Sequence, residues 1–344
     1  MSENFDSDKT VIKGGSGSAR VSEAATPVVE QADVFALPVG TRISDFEITK
    51  LIGVGGFGIV YLARDHSLDR YVALKEYMPA SVASRGKEFS VSVRSERHAD
   101  VFAAGLRSFI NEAHLLAHFD HPSLVKVHRF WETGSTAFMV MPYYEGPTLK
   151  QALREMDSPP SEAWLKSLLS PLLDALQLLH RENCFHRDIS PDNIILMKSG
   201  QPVLLDFGAA RRVIGDMTKN LTVIVKSGYA PIEQYSDDLD TPQGAWTDIY
   251  AVGALAYFAI MGKAPSPSIS RVIKDPVVPL EEAAAGRYKP GFLLAIDRAL
   301  QVNPKHRPQS AQELLQLLGW SDGPLSPAQP VGQAKIGTSE NPAR

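Results

Sequence analysis

The chain has 344 residues, 44% hydrophobic and 22% charged, with a net charge of −4. That is the make-up of an ordinary globular protein, with apolar material for one large domain or two smaller ones. The slightly acidic balance gives no footing for nucleic acid or an anionic membrane as partner, and a single cysteine, Cys184, excludes an intrachain disulfide and a cysteine-built zinc site.

In chain order, residues 1–43 are rich in Ser, Gly, Ala, Thr and acidic groups without a hydrophobic period, and they read as a disordered N-terminal tail. The opening MSENFDSDKT is too polar for a signal peptide. From 46 onward come short β-rich runs: FEITKLIG, GIVYLARD, YVALKEY, SLVKVHRFWE and TAFMVMPY. One helical stretch, VFAAGLRSFINEAHLLAHF, interrupts them. After Thr148 helical periodicity dominates, as in AWLKSLLSPLLDALQLLH and FLLAIDRALQ. The uncharged run IYAVGALAYFAIMG at 249–262 is shorter than the roughly 20 residues that cross a bilayer, so it reads as a buried core helix. The Pro/Gly/Ser-rich residues 321–344 read as a second disordered tail. Strands first and helices later predict an α+β pair of lobes, one on each side of about residue 142. A cytoplasmic location fits the cysteine usage and the lack of a span.

LIGVGGFGIVYLA carries Gly53, Gly55 and Gly58 at GxGxxG spacing. A dinucleotide fingerprint needs a helix opening on the last glycine. Here the β-branched and aromatic IVYLA follows, so the glycines occupy the turn of a β-hairpin. By itself such a turn is weak evidence of phosphate binding. Lys75 follows seventeen residues after Gly58, then FHRDISPDNIIL with Asp188 and Asn193, then LLDFGAAR with Asp206.

This ordered set resembles the signature of eukaryotic-type protein kinases, and most of all their bacterial serine/threonine members, given GYAPIEQY and the long insert after Lys75. The resemblance covers 44–320 and implies a two-lobed protein-kinase fold. The β-rich N-lobe with one main helix would span about 44–142, and the largely helical C-lobe about 143–320.

It further implies ATP and Mg²⁺, with Mn²⁺ as a substitute, and protein substrates whose Ser/Thr hydroxyls are phosphorylated. Gly53, Gly55 and Gly58 would let the backbone approach the phosphates. Lys75 would hold the α- and β-phosphates, with Glu112 as its helix partner. Asp188 would accept the hydroxyl proton, and Asn193 and Asp206 would bind the metal. Met141 stands at the gatekeeper position. The backbone of Pro142 and Tyr144 would meet the adenine edge, through a carbonyl and an N–H respectively. Val60, Ala73 and Ile195 would sandwich the base, a role compatible with an ordinary place in the core. Glu233 with Arg307, and Asp248, match positions that support the C-lobe. Arg187 matches one that receives a phosphorylated loop residue, for which Thr218, Thr222 and Ser227 are candidates.

Ser190 departs from the pattern, because the family places there a lysine that neutralises the γ-phosphate. Lys226 stands where relatives often carry a threonine facing the catalytic aspartate, and it is expected to supply the missing charge. Thr148 replaces a ribose-binding carboxylate. The insert between Lys75 and Glu112 reads either as an extra hairpin bracing the helix or as a partner-docking element. The histidines 114, 118 and 121 match the helix and His-Pro turn of kinases better than a metal site. Two rivals follow from these departures: an ATP-binding pseudokinase, suggested by Ser190, and a small-molecule phosphotransferase of the same fold, which GYAPIEQY and Arg307 argue against. The absence of an arginine at Asp192 favours serine/threonine over tyrosine.

Overall fold

The computed structural model describes residues 35–206, 226–235 and 242–320. The first 34 residues, residues 321–344, and the loop positions Phe207, Gly208, Thr218 and Thr222 lie outside them.

Alternation of apolar and polar residues produces a curled antiparallel sheet in the order β1-β2-β3-β4-β8-β7. Its strands are β1 (Arg42–Ile43), β2 (Phe46–Val54), β3 (Gly58–Asp65) and β4 (Arg70–Tyr77), then β7 (Arg129–Thr133) and β8 (Thr136–Pro142). Between β4 and β7 come a small hairpin, β5 (Ala83–Arg85) and β6 (Val91–Val93), and helix α1 (Ala99–His118). The sheet curls far enough for Phe46 on β2 to stack on Trp131 of β7, at 5.5 Å between centroids. Trp131 in turn stacks on Phe138 of β8, also at 5.5 Å.

The two faces of β4 bury different partners. Tyr77 packs on Phe102 and Phe109 of α1 and donates to the Phe102 carbonyl at 3.0 Å. Leu74 and Glu76, on the other face, are fully buried.

Past β8 the chain crosses to the second lobe through α2 (Leu149–Arg154), which opens on a capping box between Thr148 and Gln151. Gly146 is needed here, because a Cβ would lie 2.0 Å from the carbonyl oxygen of Leu196. Helix α3 (Glu162–Arg181) follows, then the paired strands β9 (Ile194–Leu196) and β10 (Pro202–Leu204). Helix α4 (Ala245–Met261) is apolar almost all round and accordingly buried. Helices α5 (Pro290–Ala299) and α6 (Ala311–Leu317) pack around it. Among the described residues no helix is long and apolar enough to cross a membrane.

Two expectations need correction. The N-terminal tail is shorter than expected: from Phe35 the chain forms a strap over the sheet, with Leu37 buried and its N–H donated to the Tyr61 hydroxyl at 3.0 Å. Two large apolar side chains and β1 suffice to order it, without the periodicity that marks a longer element. The strand expected over SLVKVHRFWE begins only at Arg129. Leu124 instead bridges to Leu204 of β10, and the Val125 N–H donates to the Leu204 carbonyl at 3.0 Å, so this stretch ties the lobes together.

Candidate active site

The glycine turn joins β2 to β3, with Gly53 opposite Val60 and the Gly55 N–H donating to the Gly58 carbonyl at 2.8 Å. Gly53 has open space where a Cβ would stand. At Gly58 a Cβ would lie 2.6 Å from the Glu76 carbonyl, so β4 itself demands this glycine. Val60 pairs with Lys75 across β3 and β4, and Ala73 pairs with Met141 across β4 and β8. Pro142 pairs with Val72. The Tyr144 hydroxyl accepts from the Lys126 N–H at 3.3 Å, and Ile195 lies on β9 opposite Val203. Strand register thus orders Val60, Ala73, Met141 and Pro142 within one sheet, while Ile195 lies in the separate β9–β10 pair.

Lys75 is the centre of the first charge cluster. Its Nζ donates to Asp206 Oδ1 at 2.7 Å and to Glu112 Oε1 at 3.3 Å, and lies 5.6 Å from the Phe109 ring centre. Burial opposes the charge, but Asp206 and then Glu112 outweigh it, holding the ammonium pKa above the usual lysine range.

The second cluster is the loop 186–193. Asp248, wholly buried at the start of α4, accepts from the His186 N–H at 2.9 Å and the Arg187 N–H at 2.7 Å, and bonds His180 Nε2 at 2.8 Å. Gln234 donates to the Arg187 carbonyl at 2.8 Å. These bonds hold Arg187 at φ 66°, a left-handed conformation that a non-glycine residue keeps only when its surroundings dictate it. The strained turn presents Asp188, whose Oδ2 accepts from Asn193 Nδ2 at 2.8 Å.

Lys226 enters from the segment after the loop: its Nζ lies 2.6 Å from Ser190 Oγ and 3.1 Å from Asn193 Oδ1. The structure therefore brings Asp188, Ser190, Asn193 and Lys226 into one group. Asp206 and Asn193 offer hard oxygens of the kind a divalent cation takes when phosphates and water supply its other ligands. Among the described residues no three or more His, Cys, Asp or Glu side chains converge as a metal cage.

A protein-family model described as "Protein kinase domain" matches residues 46–318. The chain belongs to the protein kinase family. Among curated relatives it is 31% identical over 299 residues to the serine/threonine-protein kinase pkn2 of Myxococcus xanthus, covering 82% of this chain and 33% of that one. It is 29% identical over 291 residues to PrkC of Bacillus subtilis, covering 80% of this chain and 40% of that one. The chain thus spans a third to two fifths of the length of these two kinases.

A solved structure titled PpkA-294 apo form superposes with a TM-score of 0.76 at 48% identity, over 83% of this chain and 99% of that one. The Mycobacterium tuberculosis PknI kinase domain, at 22% identity and TM-score 0.60 over 83% of this chain and all of that one, shares the fold. Membership makes ATP and a divalent metal the expected pair in the cleft.

The kinase C-lobe is braced by Glu233 and Arg307, which meet at 2.7 and 3.1 Å without exposure. Sequence reasoning missed the strap, His180 and Gln234; the insert forms the hairpin β5–β6, whose hydrogen bonds run to the sheet and the strap rather than to the helix it was expected to brace. The hairpin's anchors run to Glu76 of β4, Phe35 of the strap and Gly134 of the β7–β8 turn.

Proposed function

We propose that the chain is an ATP- and Mg²⁺-dependent protein kinase that phosphorylates Ser/Thr hydroxyls, itself included, and works in the cytoplasm. The observation that carries this reading is the pair of charge clusters: Lys75 between Glu112 and Asp206, and Asp188 with Asn193 and Lys226.

Mg·ATP supplies the γ-phosphoryl group when bound, and the side chains position and neutralise. Lys75 would hold the α- and β-phosphates, while Asn193 and Asp206 would hold the metal. Asp188 orients the acceptor hydroxyl and takes its proton as the oxygen bonds to the γ-phosphorus and the bond to the β–γ bridging oxygen breaks. Lys226 supplies the cation absent at Ser190. Its ammonium sits beside Ser190 Oγ and Asn193 Oδ1, on the side of the cleft where phosphate charge would develop.

Ser190 favours a second reading, a nucleotide-binding scaffold without catalysis. Intact mass of the dephosphorylated protein before and after Mg·ATP separates the two, with Asp188→Ala as control and a generic protein substrate present. Phosphate gain in the wild type alone supports the kinase. No gain on either protein, with nucleotide still bound, would leave the scaffold.

A further inference from the structure

On the face of β4 opposite α1 lies a buried polar network that the ATP site does not use. Glu76 is fully buried. Arg85, from the β5–β6 hairpin, closes on both of its oxygens: Nη1 to Oε1 at 2.6 Å and Nη2 to Oε2 at 2.7 Å. The Tyr61 hydroxyl donates to the same Oε2 at 2.8 Å. The remaining guanidinium bonds go to backbone carbonyls. Nε and Nη2 donate to Phe35 at 2.9 and 2.6 Å, and Nη1 donates to Phe89 at 3.0 Å. The strap completes the circuit through the Leu37 N–H on the Tyr61 hydroxyl. Arg94 lies over the Phe35 ring at 5.5 Å and donates to the Ala83 carbonyl at 2.9 Å.

The place of this network along the strand gives it leverage. Successive residues of a strand point to opposite faces, so whatever fixes Glu76 fixes the backbone from which Lys75 projects toward Glu112. The Glu76 carbonyl also abuts Gly58, where even a methyl group would collide at 2.6 Å. The next residue but one, Met78, donates its N–H to the carbonyl of Phe57 in the glycine turn at 3.2 Å. A shift of β4 at Glu76 would therefore move the ATP lysine and the glycine turn together.

We propose that Arg85 is a positioning residue for ATP: by gripping Glu76 and Phe35 at once it sets β4 in register with the glycine turn and makes the strap and the insert hairpin parts of the nucleotide site. This rests on the reading of Lys75 and the glycine turn as the ATP-binding elements.

The test is steady-state kinetics on the full chain with Arg85→Met, Tyr61→Phe and the charge-free double variant Glu76→Gln with Arg85→Met. KM for ATP and KM for a protein substrate are measured separately, alongside a thermal melt. A purely structural role lowers the folded fraction, which reduces apparent kcat and leaves both KM values alone. The positioning role predicts a rise of about tenfold in KM for ATP in Arg85→Met, from displacement of Lys75 by a fraction of an ångström. KM for the protein substrate should not change. Tyr61→Phe should give a smaller rise in the same direction.

The double variant keeps the test alive if Arg85→Met unfolds, because it leaves no unpaired buried charge. It should regain the melting temperature while KM for ATP stays raised. An unchanged KM for ATP in the double variant overturns the proposal. Lys75→Met runs in parallel: if it too leaves nucleotide affinity and turnover intact, the reading of the ATP site has failed rather than the role of Arg85.

Discussion

Two carboxylate–cation pairs hold this protein-kinase fold together in opposite ways. In the C-lobe, Arg307 meets Glu233 through both guanidinium ends and spends its other N–H groups on the carbonyls of Gln301, Val302 and Trp246. Every donor is committed and neither side chain is exposed. In the cleft, Lys75 touches Glu112 at one oxygen, 3.3 Å away, and shares its charge with Asp206. Lys226 also points into the cleft, beside Ser190 and Asn193. Arginine appears where geometry must be permanent, and lysine where a cation must change partners when phosphate arrives. Arg85 belongs to the first class although it sits in the N-lobe, on the far face of the strand that carries Lys75.

This contrast can be broken experimentally, and the largest effect is expected from the locked pair. Glu233→Ala leaves a buried guanidinium without its counter-charge and should cost about 3–5 kcal/mol of stability in a denaturant melt. KM for ATP in the folded fraction should not move. Should KM change instead and stability hold, the pair is not the lock described.

Next comes Lys226→Ala, expected to lower kcat ~10²-fold with the melt unchanged. The exchange variant Ser190→Lys with Lys226→Thr should recover most of that loss, since it returns the cation from the other side of the same gap. Failure of the exchange, with the single variant inactive, would mean that Lys226 acts through loop geometry rather than charge.

Lys75→Arg sharpens the comparison further. A guanidinium fork retains the charge but cannot turn as a point cation does, so kcat/KM for ATP should fall about tenfold or more with little change in the melt. Equal activity would show that exchangeability is not what the cleft requires.

The smallest effect uses Cys184, the one cysteine in the chain. Burial, with a contribution from Asp248, pushes its thiol up to about 12. At pH 8 the thiolate fraction is then on the order of 10⁻⁴. Iodoacetamide should label the native protein very slowly, and faster as pH rises toward 10. Labelling should remain slow in Lys75→Arg and speed up in Glu233→Ala, reporting which lobe has loosened.

How much of this was legible in the sequence depended on the range of the interaction. β2, β3, β4 and β8 could be read because alternation and β-branched residues are local properties. α1, α3 and α4 could be read for the same reason. Lys75, Glu112, Asp188, Asn193 and Asp206 stood out because their motifs are compact and ordered. Lys226 was noticed only because Ser190 left a charge to be found, and the distance of 2.6 Å between the two side chains was not readable. The Arg85 network gave no signal at all. Arg85 lies in a stretch without strong period, and its partner carbonyl at Phe35 is fifty residues away in the chain. Pairings made through backbone carbonyls leave no mark on residue type.

The strap and the far end of the C-lobe carry a consequence for where this kinase begins and ends. The family model matches 46–318, and Leu37, outside that span, is buried. At the other end Trp320 stacks on Phe292 at 5.8 Å, with Lys166 against its ring. A fragment trimmed to 46–318 would remove both Phe35 bonds from Arg85 and strip Trp320 from its stack on Phe292. Measurements on such a fragment would describe a domain that has lost a brace at each end.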